Sequence, residues 1–301
     1  MVGAPDCKDK HNKYYSSKSL VDSKNNFRYY LTGLWEGDGH IWIPQNSHAP
    51  SGKRYTPHFT ITFDKRDINL AIRLKSILGG TVSDKRPVNA CTLTISRKKG
   101  LEIVVEIMNG KVRTPKYKRF IDLITWMNSN YNSKITIREI DKSDLLRNAW
   151  LRGFIDADGS FSVSIRKKSI DGKGKNRVES RFRLEQRQKD PKTNSSYVYI
   201  IEDIAKTFVV TNKITRHNFG KEYYVVSVSR PGKLIKLISY LDTFPLFSSK
   251  RINYLDFKKS VEIILKKEYL FYIERFVEIK NNINNKRVYF NWENLDKLNN
   301  Y

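Results

Sequence analysis

Cysteine is almost absent from this chain. Only Cys7 and Cys91 occur among its 301 residues, and two thiols so far apart provide neither a disulfide framework nor the ligand spacing of a zinc site. The five histidines form no ligand pair at helical spacing. The sequence therefore excludes a disulfide-rich secreted domain and a His/Cys metal centre, and it favours unpaired thiols in a reducing compartment.

Long hydrophobic runs and acidic residues are also scarce. No apolar stretch approaches the length of a membrane span, and the polar first 26 residues resemble neither a signal peptide nor a transit peptide. Lys and Arg number 56 against 31 Asp and Glu, which gives a net charge of +25. Because basic residues run along the whole chain, we expect a nucleic acid as partner and no membrane.

One stretch occurs twice. Residues 31–39 read LTGLWEGDG and residues 151–159 read LRGFIDADG, with starts 120 residues apart. Both copies have Leu first, Gly third, an acid sixth, Asp eighth and Gly ninth, and a β-rich run follows each. The residues before each copy have a helical pattern, so the ninth-position glycines, Gly39 and Gly159, are predicted to end two helices.

The acids of the repeat occupy an unfavourable end of each predicted helix. Glu36, Asp38, Asp156 and Asp158 would lie at the negative end of the helix dipole, where cations are preferred. A single acid there could simply be satisfied by water. Two matched copies of the arrangement indicate instead that a bound cation compensates for it.

Small residues give each predicted helix a smooth face. Gly33 and Gly37 are spaced i, i+4, as are Gly153 and Ala157. Two such faces allow close approach of the backbones, as in helix pairs of membranes. If the two helices pack on each other, the eighth-position acids come side by side and repel unless metal ions lie between them.

With these features the chain resembles the LAGLIDADG homing endonucleases, in their single-chain form with two motifs. The likeness covers both nonapeptides and, more loosely, the order of elements over most of the chain. It implies a site-specific DNA endonuclease that hydrolyses both strands of a long asymmetric duplex with divalent metal ions. Many such proteins are encoded in mitochondrial introns. The abundant Asn, Lys, Ile and Tyr, which have AT-rich codons, agree with this origin, so we expect a mitochondrial location.

The fold class predicted is α/β (α+β). Two pseudo-symmetric αββαββα halves should carry saddle-shaped antiparallel sheets, with the two motif helices packed at the domain interface. The expected divisions are a flexible leader 1–24, an N-terminal half 25–128, a linker 129–143 and a C-terminal half 144–301 of a monomer. Asp67 is predicted to cap a helix through Leu78, and the tail beyond about residue 266 receives no role.

The resemblance assigns the metal ions to the carboxylates of Asp38 and Asp158 and to the backbone carbonyls of Gly37 and Ala157. Hard oxygen ligands with open water positions suit Mg²⁺ or Mn²⁺, and Ca²⁺ is expected to bind as a non-catalytic substitute. The sixth-position acids, Glu36 and Asp156, are assigned either to support of the metal site or to a purely structural role.

Two lysines and one glutamine complete the predicted catalytic set. Lys116 and Lys250 each precede a predicted helix, and the family keeps a lysine of this region near the scissile phosphate; the alternative for each is a solvated lysine. Gln188 is assigned to order water at one centre. Its counterpart in the first half is Phe63, which cannot do so. Either the register of this alignment is displaced or the two centres are unequal.

The strands are predicted to lie in the major groove of DNA. Arg181, Arg183, Glu185 and Arg187 share one face of a strand, and burying four charges there would be prohibitive. The face is therefore either a DNA surface or a solubilising edge. The predicted DNA-contacting residues are Arg54, His58, Thr60, Thr62, Lys85, Arg86, Arg166, Lys167, Arg181, Arg183 and Arg187.

Two alternative functions remain open at this point. Relatives in the family assist splicing of their host intron, so an RNA maturase that binds intron RNA is the first alternative. A non-catalytic DNA-binding regulator on the same fold is the second. Loss of an eighth-position acid would be typical of the regulator, and both Asp38 and Asp158 are present.

Overall fold

The structure is a computed structural model. It describes residues 23–300 except 47, 49, 53, 167–176, 217–221, 268, 270, 285–286 and 288. The predicted leader, residues 1–24, therefore lies almost wholly outside the described residues, and so does Lys167. None of the helices in the described part combines the length and the apolarity that a membrane-crossing segment needs.

The first half begins with a motif helix and continues through two hairpins. Its elements are α1 (Ser23–Asp38), β1 (Gly39–Trp42), β2 (His58–Asp64), α2 (Ile68–Leu78), β3 (Thr81–Lys85), β4 (Ala90–Ile95), α3 (Lys98–Met108) and α4 (Tyr117–Tyr131). A short 3-10 turn, Lys65–Asp67, leads into α2. Residues 132–149 connect the halves without a helix or a strand.

The second half repeats this order. Its elements are α5 (Trp150–Asp158), β5 (Gly159–Arg166), β6 (Arg177–Arg187), α6 (Val198–Thr207), β7 (Asn212–Arg216), β8 (Glu222–Val228), α7 (Pro231–Thr243) and α8 (Lys250–Leu265). The tail adds α9 (Ile273–Asn282) and a 3-10 segment, Glu293–Asn300. Each half thus has the predicted αββαββα order with one further helix at its end.

Each half contains one antiparallel sheet of four strands. The strand orders, β1-β2-β4-β3 and β5-β6-β8-β7, are the same in the two halves. Alternation along the strands determines which face is buried: β2 buries Phe59, Ile61 and Phe63, and the residues between them point away from the core. Helices cover the buried face of each sheet, and the opposite face is open. The predicted fold class is confirmed.

The two motif helices pack directly on each other, as the smooth faces predicted. A Cβ atom added to Gly33 would lie 2.0 Å from the carbonyl oxygen of Trp150, and one added to Gly153 would lie 2.1 Å from that of Tyr30. Glycine is required at both positions because backbone, which cannot move aside as a side chain can, lies against the helix. The pair joins the halves into one hydrophobic core.

The tail has a role that the sequence did not indicate. Helix α9 packs on β5, and the 3-10 segment Glu293–Asn300 packs on α1 and α2 of the first half. Leu295 and Leu298 are buried in the main core. The end of the chain therefore spans both halves, although the sequence analysis assigned all of it to the C-terminal half.

Candidate active site

The site is formed where the motif helices end. Helix α1 ends at Asp38 and α5 ends at Asp158. A Cβ atom at Gly37 would lie 2.2 Å from the Cβ atom of Ala157 and 3.1 Å from Oδ2 of Asp158. The close approach of the helices thus brings the two eighth-position carboxylates together, as the sequence predicted.

Two cavities open on this carboxylate pair. The first, of about 410 Å³, is lined by both acids together with Lys116 and Gln186, and we call it the first centre. The second, of about 330 Å³, is lined by Asp38, Lys250 and Phe63, and we call it the second centre.

The two carboxylates are poorly suited to carry two negative charges without a partner. Burial, and next the charge of Asp38, raise the pKa of Asp158 to about 7, against the opposing charges of Lys250 and Lys116. Asp38 opens to solvent on one side, yet the surrounding protein still raises its pKa by desolvation. A cation placed at the pair would relieve this repulsion.

Each predicted lysine reaches the end of the motif helix of its own half. The Lys116 ammonium donates to the carbonyl oxygens of Gly37 at 2.9 Å and Gly39 at 2.8 Å. The Lys250 ammonium donates to the carbonyl of Ala157. These carbonyls have no partner within the helix, so a lysine there satisfies them and opposes the negative end of the dipole.

The sixth-position acids have a structural role. Glu36 is buried and accepts from the backbone N–H groups of Arg113 and Thr114 and from Nε1 of Trp150 at 2.6 Å. Each bond to the 113–114 backbone fixes the chain just before Lys116. Glu36 therefore positions a segment rather than facing the cavities.

Asp156 repeats this arrangement in the second half. It is buried and accepts from the backbone N–H of Phe247 at 2.9 Å and from the backbone N–H and hydroxyl of Ser248. This segment directly precedes Lys250. Of the two roles left open by the sequence, the structural one describes both acids.

The glutamine of the site lies two residues from its predicted position. Gln186 donates from its side-chain amide to Oδ2 of Asp158 at 2.8 Å. Gln188 lies beyond the end of β6, where its backbone pairs with Glu222 and Tyr197. Pairing aligns Gly39 with Ile61 and Gly159 with Leu184, so the counterpart of Gln186 is Phe63. The alignment was displaced by one pleat, and the centres are unequal as well.

The oxygen donors of the site fit a divalent metal ion. The described residues contain no group of three His, Cys, Asp or Glu side chains that could hold a metal, so water and a phosphate would complete the coordination, as Mg²⁺ favours. The carbonyls of Gly37 and Ala157 accept from the lysines, yet each oxygen has a second lone pair. Their role as metal ligands stays a prediction.

Further basic groups at the first centre were not found from the sequence. Arg119 of α4 and Lys192, in the loop after β6, line the first cavity together with His40. Burial, and then the charges of Lys192 and Arg119, lower the pKa of His40. No sequence pattern connects these residues, because three separate segments meet only after folding.

The open face of the first sheet is polar and nearly uncharged. His58 is exposed, and Thr60 and Thr62 share its face of β2. Lys85 and Arg86 are exposed where β3 turns towards β4. These positions agree with the predicted surface.

Arg54 is already engaged within the protein. Its guanidinium donates to the backbone and side chain of Asn130 and lies 5.9 Å from the ring centre of Tyr131. The sequence analysis treated Arg54 as an extended hairpin-end residue. In the structure it is held against the end of α4, so a DNA contact by this side chain would require these bonds to be exchanged.

The open face of the second sheet is strongly charged. Arg181, Arg183, Glu185 and Arg187 alternate with buried residues along β6, as predicted. Glu179 pairs with Arg181 at 2.9 Å, and Glu185 pairs with Arg183 at 2.7 Å. Arg166 is described only as the last residue of β5. Because the two faces differ in charge, a ligand that spans both would meet two different surfaces.

Paired acids at the ends of two packed helices, set between two matching antiparallel sheets, define a pseudo-symmetric protein of the two-motif type. Comparison with known families agrees. The LAGLIDADG endonuclease family matches residues 31–127 and 151–261. The chain belongs to this family.

Individual relatives and a solved structure extend the comparison. Intron-encoded DNA endonuclease aI3 of Saccharomyces cerevisiae is 34% identical over 284 residues, which cover 84% of this chain and 66% of that protein. An uncharacterized 37.2 kDa cox1 intron-2 protein of Schizosaccharomyces pombe is 31% identical over 250 residues, which cover 81% and 68%. The chain therefore spans about two thirds of the length of each.

The fold is similar to that of the I-LtrWI LAGLIDADG homing endonuclease bound to target DNA. The TM-score is 0.68 at 17% identity, and the match covers 88% of this chain and 100% of that one. At this identity the likeness concerns the fold.

Proposed function

We propose that the protein is a divalent-metal-dependent endodeoxyribonuclease that makes a double-strand break in a long asymmetric duplex site. The observation that carries the proposal is the pair formed by Asp38 and Asp158 at the tightly packed helix ends, between two open sheet faces. Two centres at one carboxylate pair suit the cutting of two strands. Family membership supports the nuclease activity.

The chain's own residues have distinct tasks in this proposal. When bound, Mg²⁺ would polarise the scissile phosphate and lower the pKa of a water molecule. Asp38 and Asp158 would hold the ion, with Gly37 and Ala157 contributing carbonyls. Lys116 and Lys250 would place a positive charge beside each phosphate, where negative charge develops during hydrolysis.

The first centre has one group that the second lacks. Gln186 bonds to Asp158 and would orient a water there, whereas Phe63 presents only carbon to the second cavity. The open sheet faces would lie along the major groove, with the Thr-rich first face and the Arg-rich second face contacting different half-sites. This difference in charge supports an asymmetric target.

An organellar origin and a monomeric state are parts of the same proposal. The names of the relatives refer to introns, one of them in cox1, which supports a mitochondrial source. Two motif helices in one chain already form the pair that a symmetric dimer would otherwise have to assemble.

Selection from a randomised duplex library tests the function. The purified chain is incubated with the library in Mg²⁺ and cut products are sequenced. We expect one long asymmetric site cut on both strands with short 3′ overhangs. Binding of intron RNA with splicing assistance and no cut DNA would favour the maturase alternative, and specific DNA binding without cleavage would favour the regulator.

Affinity for the selected site should fall steeply as salt rises. With about six to ten phosphates neutralised, the dissociation constant should increase about 10³-fold or more between 50 and 200 mM salt. Gel-shift titration in chelator measures this. Replacing Arg181 and Arg187 with Ala should reduce the salt slope by about one per lost phosphate contact, whereas Lys236→Ala, an exposed lysine of α7, should leave it unchanged. A salt-insensitive affinity contradicts the DNA surface.

A further inference from the structure

Asp67 makes an unusual contact for the residue that precedes a helix. It is the N-cap of α2, yet its side chain makes no capping hydrogen bond to that helix, although Asp commonly does so. The predicted capping role is therefore wrong. Instead, its buried carboxylate crosses to the second half and accepts from the backbone N–H of Ser249 at 2.6 Å and from the Ser249 hydroxyl at 3.2 Å.

The contact completes the anchoring of the segment before Lys250. Asp156 binds the backbone N–H groups of Phe247 and Ser248, and Asp67 binds the next one, that of Ser249. Three successive N–H groups thus end on two buried carboxylates. Helix α8 begins at Lys250, so a carboxylate at this point also interacts favourably with the positive end of its dipole.

The first centre anchors its lysine in a different way. Glu36 binds the N–H groups of Arg113 and Thr114, and the next residue is Pro115, which has no N–H to satisfy. The proline ring restrains its own backbone at φ near −65°. Ser249 has φ −52°, within reach of the same conformation. A proline at one centre therefore takes the place of a hydrogen bond at the other.

The residue that matches Asp67 confirms that the contact is one-sided. Asp67 lies three residues past the end of β2, and Asp190 lies three residues past the end of β6. Asp190 is also buried, but it binds the N–H groups of Lys192 and Thr193 in its own loop. Only the second centre, among the described residues, receives an anchor from the opposite half.

We infer that Asp67 is a positioning residue for Lys250, which it holds at the second centre through Ser249. The inference rests on the proposed cleavage reaction. Without the carboxylate, the buried Ser249 N–H loses its partner and the start of α8 is free to shift. Because the Lys250 ammonium lies at the end of this segment, its placement beside the phosphate should suffer, while the first centre keeps its own anchors.

Strand-specific cleavage of the selected site tests this. Each strand carries its own end label, and single-turnover rates are measured in Mg²⁺ for the wild type, Lys116→Met, Lys250→Met and Asp67→Ala. The lysine variants identify which strand depends on which centre. Asp67→Ala should slow the Lys250-dependent strand by about tenfold to a hundredfold, accumulate nicked product and spare the other strand. Asp190→Ala, the matched control, should spare the Lys250-dependent strand.

A rescue experiment separates positioning from general loss of stability. Ser249→Pro removes the N–H that Asp67 satisfies and restrains the backbone as Pro115 does. In the Asp67→Ala background it should restore most of the lost strand rate, a result that a merely destabilised fold would not give. If Asp67→Ala does not fold, the isosteric Asp67→Asn takes its place, since its amide oxygen still reaches the Ser249 N–H.

The outcomes distinguish the inference from the proposed function. If the wild type cuts no duplex, the cleavage reaction itself is wrong. If the wild type cuts and the folded Asp67 variant cuts both strands at the wild-type rate, Asp67 does not position Lys250. Equal slowing of both strands, or no recovery with Ser249→Pro, also overturns the inference.

Discussion

Asp38→Asn and Asp158→Asn are each expected to abolish double-strand cleavage while specific DNA binding survives. The amide keeps the shape of the side chain but removes a charge and a hard ligand from the proposed metal site. We expect the cleavage rate to fall at least about a hundredfold, with slow nicking as the residual activity. Binding in chelator should persist or tighten, because each carboxylate repels the phosphate beside it. A cleavage time course beside a gel-shift titration measures both.

The stability of the metal-free protein provides a second readout for Asp158. Its pKa of about 7 lies above the ordinary value of 3.8, so the unfolded chain ionises at lower pH than the folded one. Stability contributed by this group therefore falls as pH rises from about 4 to about 7. Asp158→Asn lacks this loss, and in chelator at pH 8 it should melt at a higher temperature than the wild type.

These results have clear contrary outcomes. Double-strand breaks at the native rate by either variant would remove the acids from the metal site. Loss of cleavage that follows only from loss of folding or binding would make the acids structural. A lower melting temperature for Asp158→Asn in chelator would show that the carboxylate stabilises the fold rather than straining it.

Gly153→Leu is expected to destabilise the whole protein. The added Cβ atom alone would lie 2.1 Å from the carbonyl oxygen of Tyr30 and 2.6 Å from the backbone nitrogen of Leu34, and the rest of the leucine side chain must enter the same space. The helices would have to separate, and overpacking of this kind costs about 1–3 kcal/mol or more. Thermal and denaturant unfolding measure the change.

A second glycine in a helix provides the control. A Cβ atom on Gly232 in α7 would meet nothing within 4 Å, so Gly232→Ala should be neutral or stabilise by up to about 1 kcal/mol, as alanine favours a helix. An unchanged melting temperature for Gly153→Leu would mean that α1 and α5 do not pack as described. Loss of cleavage together with loss of stability is expected, because the same contact brings the two acids together.

Local sequence signals were sufficient for the repeated architecture. The two nonapeptides placed both motif helices, and alternation in the β2 and β6 strands identified the open faces. The small residues at Gly33 and Gly153 predicted the helix contact, since only glycine tolerates a backbone at this distance. Each of these features is a short-range pattern or a residue type with one dominant physical reason, so it can be read without knowing the fold.

Register and long-range partners could not be read in this way. Gln188 was placed where Gln186 lies, because a shift of two residues keeps the same face of a strand and only the pairing of Gly159 with Leu184 distinguishes the two. Asp67 was predicted to cap α2, whereas its partner, Ser249, is 182 residues away. The role of the tail was missed because Leu295 and Leu298 pack on helices of the first half.

The sequence by itself determined the two halves, the motif helices, the pair of acids between them and the two lysines, because duplication marked these residues in matched positions. Only the tertiary structure decided how the centres differ. Gln186 faces Phe63 across the pseudo-symmetry, and Pro115 corresponds to Ser249 with its partner Asp67. A repeat predicts what the halves share; their differences depend on contacts between distant segments, which exist only once the chain has folded.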